Sequence, residues 1–208
     1  LNWRCAAKAY RSPLSADFPL TARAARIFTS KDIAMTTPYC AKDIGAYEAC
    51  RLHAYADPDS PLGEALRLPL AERPLGWEHL SGAPWTVGYG QTGPTVGPNT
   101  VVTQEEADDF LAQRIQTIQR QFDLAIPWWR SLNDARQDVF VNLAYNLGVH
   151  GLLEWEHFLL AVKLGHWDTA RIEMVGLPGQ PDKWALQVGH HRAFNLADQL
   201  ASGVRVAP

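Results

Sequence analysis

The sequence is short of cysteine, of long apolar runs and of charge of one sign, and each shortage excludes something. Cys5, Cys40 and Cys50 are its only cysteines. They form no CxxC pair and no zinc spacing, and an odd number in 208 residues is no disulfide framework, so folding under reducing conditions is expected. No apolar run approaches the roughly 20 residues that span a bilayer; FLLAV at 158–162 is among the longest. That predicts no stable membrane insertion and no transmembrane anchor, and the first residues lack the continuous apolar region of a signal peptide. A formal net charge of -3 argues against capture of nucleic acid by bulk electrostatics. HExxH is absent as well. His150, Glu154, Glu156 and His157 therefore read as a charged helix face, and no metal is expected.

What is present suits a globular protein. Hydrophobic residues make up 47% and charged residues 20%, enough for one domain or for two lobes sharing a linking element. Residues 1–34 stand apart. They carry Arg4, Lys8, Arg11, Arg23, Arg26 and Lys31 against Asp17 and Asp32, with no sustained period. The Ala-rich piece from Leu20 to Phe28 suits one or two helical turns. This segment reads as an N-terminal extension, with Met35 as an alternative start and a basic arm toward an acidic cell surface as its functional alternative.

The pattern beyond it predicts a mostly helical α+β fold. A short helix is expected from Lys42 to about His53, with Glu48 on it. Asp57-Pro58 and Ser60-Pro61 then signal turns, because the residue before proline is pushed out of the helical region. Residues 61–82 read as an insertion of one or two short helical turns, WTVGYG as a strand by its alternation, and GQTGPTVGPNT as loop. Thr103-Gln104-Glu105-Glu106 fits a capping box. It opens a long helix that Pro127 ends soon after Leu124. Further helices are expected from Asn133 or Ser131 to a stop at Gly148, from Trp155 to Gly165, over 167–175, and from Lys183 to Ala201, with GLPGQPD a loop. The expected layout is a small mixed lobe with a short β-sheet (35–103), a connecting helix (104–124) and a helical lobe (125–208). Trp128-Trp129 reads as a plug under that lobe, and His190-His191-Arg192 as a surface or groove-edge basic cluster.

Glu48, Asp57 and Thr86 are the candidates for chemistry. Glycosidic cleavage commonly uses one carboxyl group that stays protonated to donate to the leaving oxygen, and a second, ionised one that activates water or stabilises developing positive charge. A hydroxyl nearby can orient that water. Spacing alone is a weak sign, since any helix followed by a turn can place Glu and Asp nine positions apart.

The joint pattern is more specific. YEACRLHAYADP, PWTVGYGQT, VVTQEEADDFL and VNLAYNLG together resemble the motifs of phage-type lysozymes (endolysins, glycoside hydrolase family 24) over roughly 42–200. The resemblance implies a lysozyme-like fold and hydrolysis of the bond between N-acetylmuramic acid and N-acetylglucosamine in bacterial peptidoglycan. By motif position it implies Glu48 as catalytic acid, Asp57 as second carboxylate and Thr86 as the hydroxyl, with inversion at the anomeric carbon. It adds Gln91, Tyr145 and Asn146 as substrate-binding residues and needs no metal or cofactor. A monomer, held in the host cytoplasm until released to the wall or periplasm at lysis, is expected. Ala49 stands where the family usually has glycine, Gln91 where histidine is common, and the 61–82 insertion lengthens the path from Asp57 to Thr86. The rival readings are a non-catalytic wall-binding or virion structural module, and a glycosidase acting on chitin-type polymers.

Overall fold

The structure is a computed structural model that describes residues 38–207; the N-terminal extension, its expected helical turns and the alternative start at Met35 lie outside the described residues. Over these residues the fold is α+β and mostly helical. They divide into two compact units: residues 48–113, which carry a small sheet, and residues 38–47 with 114–207, which are largely helical.

In the sheet unit, β1 (Arg51–Ala56), β2 (Trp85–Gly88) and β3 (Gln91–Thr92) form an antiparallel sheet in that order. β1 pairs with β2 through Arg51 with Gly88, Tyr55 with Thr86 and Ala56 with Trp85, with a shift of register between Arg51 and Tyr55. Its other edge takes residues 100–102: Ala54 N–H donates to the Thr100 carbonyl at 2.9 Å, and Val102 N–H to the Leu52 carbonyl at 2.9 Å.

The expected helix over 42–53 is therefore wrong in its second half. α1 spans Pro38–Tyr47 and stops before Glu48. The burial along β1 shows the difference: Arg51 and His53 are exposed, while Leu52 and Ala54, each following one of them, are half-buried. Leu52, Ala54 and Cys50 pack against Val87, Val102 and Ala107. A period of two belongs to a strand.

Between β1 and β2 the insertion holds α2 (Pro61–Arg67) and two short 3-10 turns, Leu70–Glu72 and Trp77–His79. Ser60 caps α2 by accepting from Gly63 N–H at 3.0 Å, and Pro61 follows at a position where its missing N–H has no helical partner to lose. α3 (Gln104–Ala125) begins in the sheet unit and ends in the helical one. Its capping box is complete: Thr103 N–H donates to Glu106 Oε2 at 2.7 Å, and Glu106 N–H to Thr103 Oγ1 at 3.2 Å.

The helical unit continues with α4 (Asp134–Leu153), α5 (Glu156–Leu164) and α6 (Trp167–Val175). Asn133 caps α4, accepting from Arg136 N–H at 3.1 Å. Gly148, the expected stop, has φ 75° and breaks the helix there, although helical chain resumes as far as Leu153. The expected GLPGQPD loop contains a two-residue hairpin, β4 (Gly176–Leu177) with β5 (Gln180–Pro181). The expected last helix is two, α7 (Lys183–Val188) and α8 (His190–Ser202), parted by Gly189 at φ 89°.

The core of this unit is aromatic. Phe122, Trp129, Phe140 and Phe158 are fully buried, with ring centroids 5.3 Å apart for Phe122–Trp129 and 5.7 Å for Phe140–Phe158. Of the expected Trp128-Trp129 plug, Trp129 donates its indole N–H to Asp123 Oδ1 at 2.8 Å, and Trp128 is half-buried with its ring centroid 6.0 Å from that of Phe140.

Charge is buried here too. Asp138, 2% exposed, accepts from Arg205 Nε at 2.8 Å. Asp43, 3% exposed, has one carboxylate oxygen with no hydrogen-bond partner among the described residues. Burial first, and the Asp138 charge second, push Asp43 up to about 6. Arg192 was expected in a surface or groove-edge basic cluster. It is buried instead, donating through Nη2 to Asn142 Oδ1 at 2.8 Å, with its guanidinium 5.1 Å from the Tyr47 ring centroid. Among the described residues no helix is long and apolar enough to cross a membrane.

Candidate active site

Asp57 follows β1 directly, and the ladder with β2 continues past the strand end to hold it. Its N–H is shared between the carbonyls of Gly82 at 3.0 Å and Pro84 at 3.2 Å. Residues that pair across an antiparallel ladder project to the same face, and alternate residues along a strand share a face. Tyr55 pairs with Thr86, and Asp57 lies two positions beyond Tyr55. Asp57 and Thr86 are thus diagonal neighbours on one face, a relation that brings Cα atoms to roughly 7–8 Å. The long insertion between them does not interrupt the ladder that relates them.

The other face of the sheet is the packed one. Val87 is 1% exposed and belongs to the small core with Val102 and Ala107. Thr86, one position earlier, is half-buried and looks the other way. Its second ladder partner is the exposed Thr92.

The Asp57 carboxylate is oriented locally. Asp59 N–H donates to Oδ1 at 2.7 Å, the side-chain turn that Asp forms with a backbone amide two residues on. Glu48 is half-buried in a bend between the end of α1 and the start of β1. It was expected on a helix. It instead leads, through Ala49 and Cys50, into the strand that ends at Asp57. Cys50, expected on that same helix, is a half-buried free thiol against the sheet core.

The three expected substrate contacts fare differently. Gln91 pairs with Val87, so it is one register position out of phase with Thr86 and belongs to the opposite, core-facing side of the sheet. Its amide donates to the Thr92 carbonyl at 3.4 Å. Tyr145 and Asn146 lie on α4 in the helical unit. The side-chain oxygen of Asn146 accepts from Trp184 Nε1 at 3.0 Å, which commits that atom to internal structure. His150 and Glu154 form an exposed pair at 3.4 Å. Among the described residues no group of histidine, cysteine and carboxylate side chains is placed to hold a metal ion.

One residue near the site escaped the sequence reading. Ser60, 4% exposed, donates its hydroxyl to the Asp57 carbonyl at 2.6 Å. The available signal was Ser60-Pro61, a helix start as well as a turn.

Comparison with known proteins adds one match. A sequence model of the family described as phage lysozyme matches residues 45–177, which include Glu48, Asp57, Thr86, Tyr145 and Asn146. No curated protein matches the chain.

Proposed function

The chain belongs to the phage lysozyme family and so is a peptidoglycan-hydrolysing lysozyme, a glycosidase, and from that premise we propose that it cleaves between N-acetylmuramic acid and N-acetylglucosamine with inversion. Glu48 protonates the glycosidic oxygen. Asp57, with Thr86 beside it, holds and deprotonates the attacking water on the opposite face of the sugar. Inversion requires the two carboxyl groups roughly 6.5–9.5 Å apart, to leave room for that water. The observation that supports the reading is the β1–β2 register, which pairs Tyr55 with Thr86 and so brings Thr86 to the strand end that Asp57 follows. Tyr145 and Asn146 enter as glycan contacts by the family's motif alone. Gln91 is weaker in that role, being paired with a core-facing residue.

The proposed setting is host lysis. The enzyme waits in the cytoplasm as a monomer and reaches the wall through a separate membrane pore. Its partner is the bacterial wall polymer, with no part for nucleic acid.

Glu48→Gln tests the assignment directly. The amide keeps the shape and hydrogen-bonding reach of the carboxyl but cannot deliver a proton. The variant should melt like the wild type and lose wall-clearing activity by at least about a hundredfold, the lower end of what a general acid contributes. Zymography of the two proteins side by side reads this out, and near-wild-type clearing would sink the role. A non-catalytic binder would instead sediment with walls and clear nothing even as wild type. Proton NMR of the first-formed reducing end, before mutarotation, distinguishes inversion from retention.

A further inference from the structure

The insertion is fastened to the very turn that carries Asp57. The Asp57 carbonyl accepts twice from Ser60, from its N–H at 3.0 Å and from its hydroxyl at 2.6 Å. The same hydroxyl oxygen accepts from Gly63 N–H at 3.0 Å. One buried side chain therefore ties the Asp57 peptide to the first turn of α2. The far end of the insertion returns to the same place, through the Gly82 carbonyl on Asp57 N–H at 3.0 Å and Leu62 N–H on the Ser81 carbonyl at 3.0 Å. Packing leaves no slack: a Cβ on Gly63 would collide with the Asp57 carbonyl oxygen, and one on Gly82 would come within 2.6 Å of the Trp85 ring.

Helix capping accounts for only half of what Ser60 does. The bond from Gly63 serves α2, as an N-cap should. The bond to Asp57 does nothing for α2, because it satisfies a carbonyl that lies outside the helix. We propose that Ser60 is a positioning residue for hydrolysis: its hydroxyl locks the Asp57 peptide and so aims the carboxylate across the face it shares with Thr86. The proposal rests on the assignment of Asp57 as the water-side carboxylate. It makes the insertion a brace for the reaction rather than a rim or a surface ornament. A carboxylate that must hold a water in line tolerates little displacement, and a misplacement of about 1 Å can cost on the order of a hundredfold in rate.

The test is steady-state kinetics on purified peptidoglycan, with thermal melting of each protein. Ser60→Ala should lower kcat about tenfold while KM stays within about twofold, the signature of a contact that matters in the transition state rather than in binding. Ser60→Thr, which keeps a hydroxyl, should recover most of the loss. Ser60→Gly carries the same expectation as alanine and is milder at a helix cap, so the question is answered even where alanine folds poorly. Ala65→Gly is the control. Ala65 is buried in α2, 3% exposed, and glycine there weakens the helix without touching Asp57; kcat should not change. Wild-type kcat in both Ser60→Ala and Ser60→Gly would overturn the proposal. So would an equal loss of kcat in Ala65→Gly, which would assign the effect to general stiffness of the insertion. Failure of the wild type to release reducing ends from peptidoglycan is a different result: it removes the functional reading itself, and this proposal with it.

Discussion

The buried apolar cluster of the sheet unit consists of Val87, Val102 and Ala107, with Leu52, Ala54, Tyr89, Val96 and Phe110 only partly covered around it. In the helical unit Phe122, Trp129, Phe140, Phe158, Leu143, Leu152, Met174, Leu196 and Leu200 are all fully buried. The first unit is held by what its backbone does: ladder bonds, the Ser60 and Gly82 contacts to Asp57, and a positive φ of 63° at Gly88, the last residue of β2. The second is held by side-chain volume. Asp57 and Thr86 thus belong to the unit with the thinner core, where geometry is set by hydrogen bonds and can be exact without large apolar burial. Functional loops on a separately stabilised scaffold are a common division of labour. The difference predicts that stability and activity can be perturbed one at a time.

The largest effect should come from the aromatic core. Phe140 is fully buried and touches Phe122 and Phe158 ring to ring, at 5.9 Å and 5.7 Å between centroids. Phe140→Ala should destabilise by about 3–5 kcal/mol, the range for a large aromatic deleted from a core that cannot collapse. Val87→Ala in the sheet unit should cost roughly 1.5–2 kcal/mol, at about 0.8 kcal/mol per buried methylene-sized group. Urea unfolding of both variants measures the pair. Equal costs would break the comparison, since the sheet core would then be carrying as much packing energy as the helical one.

Buried charge gives the second effect, and its sign is specific. Asp43 has an ordinary value of 3.8 and is pushed up to about 6 by burial and then by Asp138, against the opposing pull of Arg192 and Arg205. Cys40, from the same turn of α1, is pushed up by the same burial, so it stays a neutral thiol. Between about pH 4 and 6 the folded chain binds the Asp43 proton more tightly than the unfolded chain does. Stability from this group therefore falls as pH rises through that window and levels off above it. The penalty is on the order of 2–3 kcal/mol, since each tenfold change in proton affinity is worth about 1.4 kcal/mol. Asp43→Asn keeps the shape of the protonated acid and cannot ionise. It should match the wild type near pH 4 and exceed it by up to about 2–3 kcal/mol at pH 7. Urea midpoints of the two proteins across pH 4–7 check this, with the difference between them isolating Asp43 from carboxylates of opposite sign such as Asp123, which the Arg130 hydrogen bond holds below its usual range. A difference that does not change with pH would show that the buried acid is already neutral, or is better solvated than its 3% exposure implies.

What could be read in advance divides along the same line. The capping box at Thr103, the break at Gly148 and the burial of Trp129 were legible because each depends on residues within a turn or two of sequence. The β1 strand was not. Six residues containing two alanines fit a helix locally, and what makes RLHAYA a strand is pairing to β2 on one edge and to residues 100–102 on the other. Strand preference is largely such a context effect. The burial of Arg192 is hidden for the same reason. Beside two histidines it suits a surface or groove-edge cluster, but it is buried against Asn142, fifty positions earlier. The spacing predicts helix straight through Gly189, although a glycine at φ 89° is where the two helices part. The candidates Glu48, Asp57 and Thr86 come from their positions in the family's motifs, whereas the Ser60 bond to Asp57 forms only when the insertion has closed. Gln91 holds the motif position where histidine is common, and its ladder partner is the buried Val87.

The smallest effect gives the sharpest comparison, because it removes the same kind of bond from each unit. Asn133 and Ser60 both cap helices, accepting from Arg136 N–H at 3.1 Å and from Gly63 N–H at 3.0 Å. Each also donates outside its helix, Asn133 to the Gly203 carbonyl at 2.9 Å and Ser60 to the Asp57 carbonyl at 2.6 Å. Alanine at either position should cost about 1 kcal/mol, the usual loss for an N-cap. The stability effects should therefore be nearly equal. The activity effects should not, because Asn133 bonds to the end of α8 and Ser60 to the peptide of a proposed catalytic carboxylate. Asn133→Ala should clear walls at the wild-type rate once temperature is kept well below its midpoint. A matching loss of rate in Asn133→Ala would mean that hydrolysis responds to stability anywhere in the chain, and the separation between a unit that packs and a unit that aims would fail.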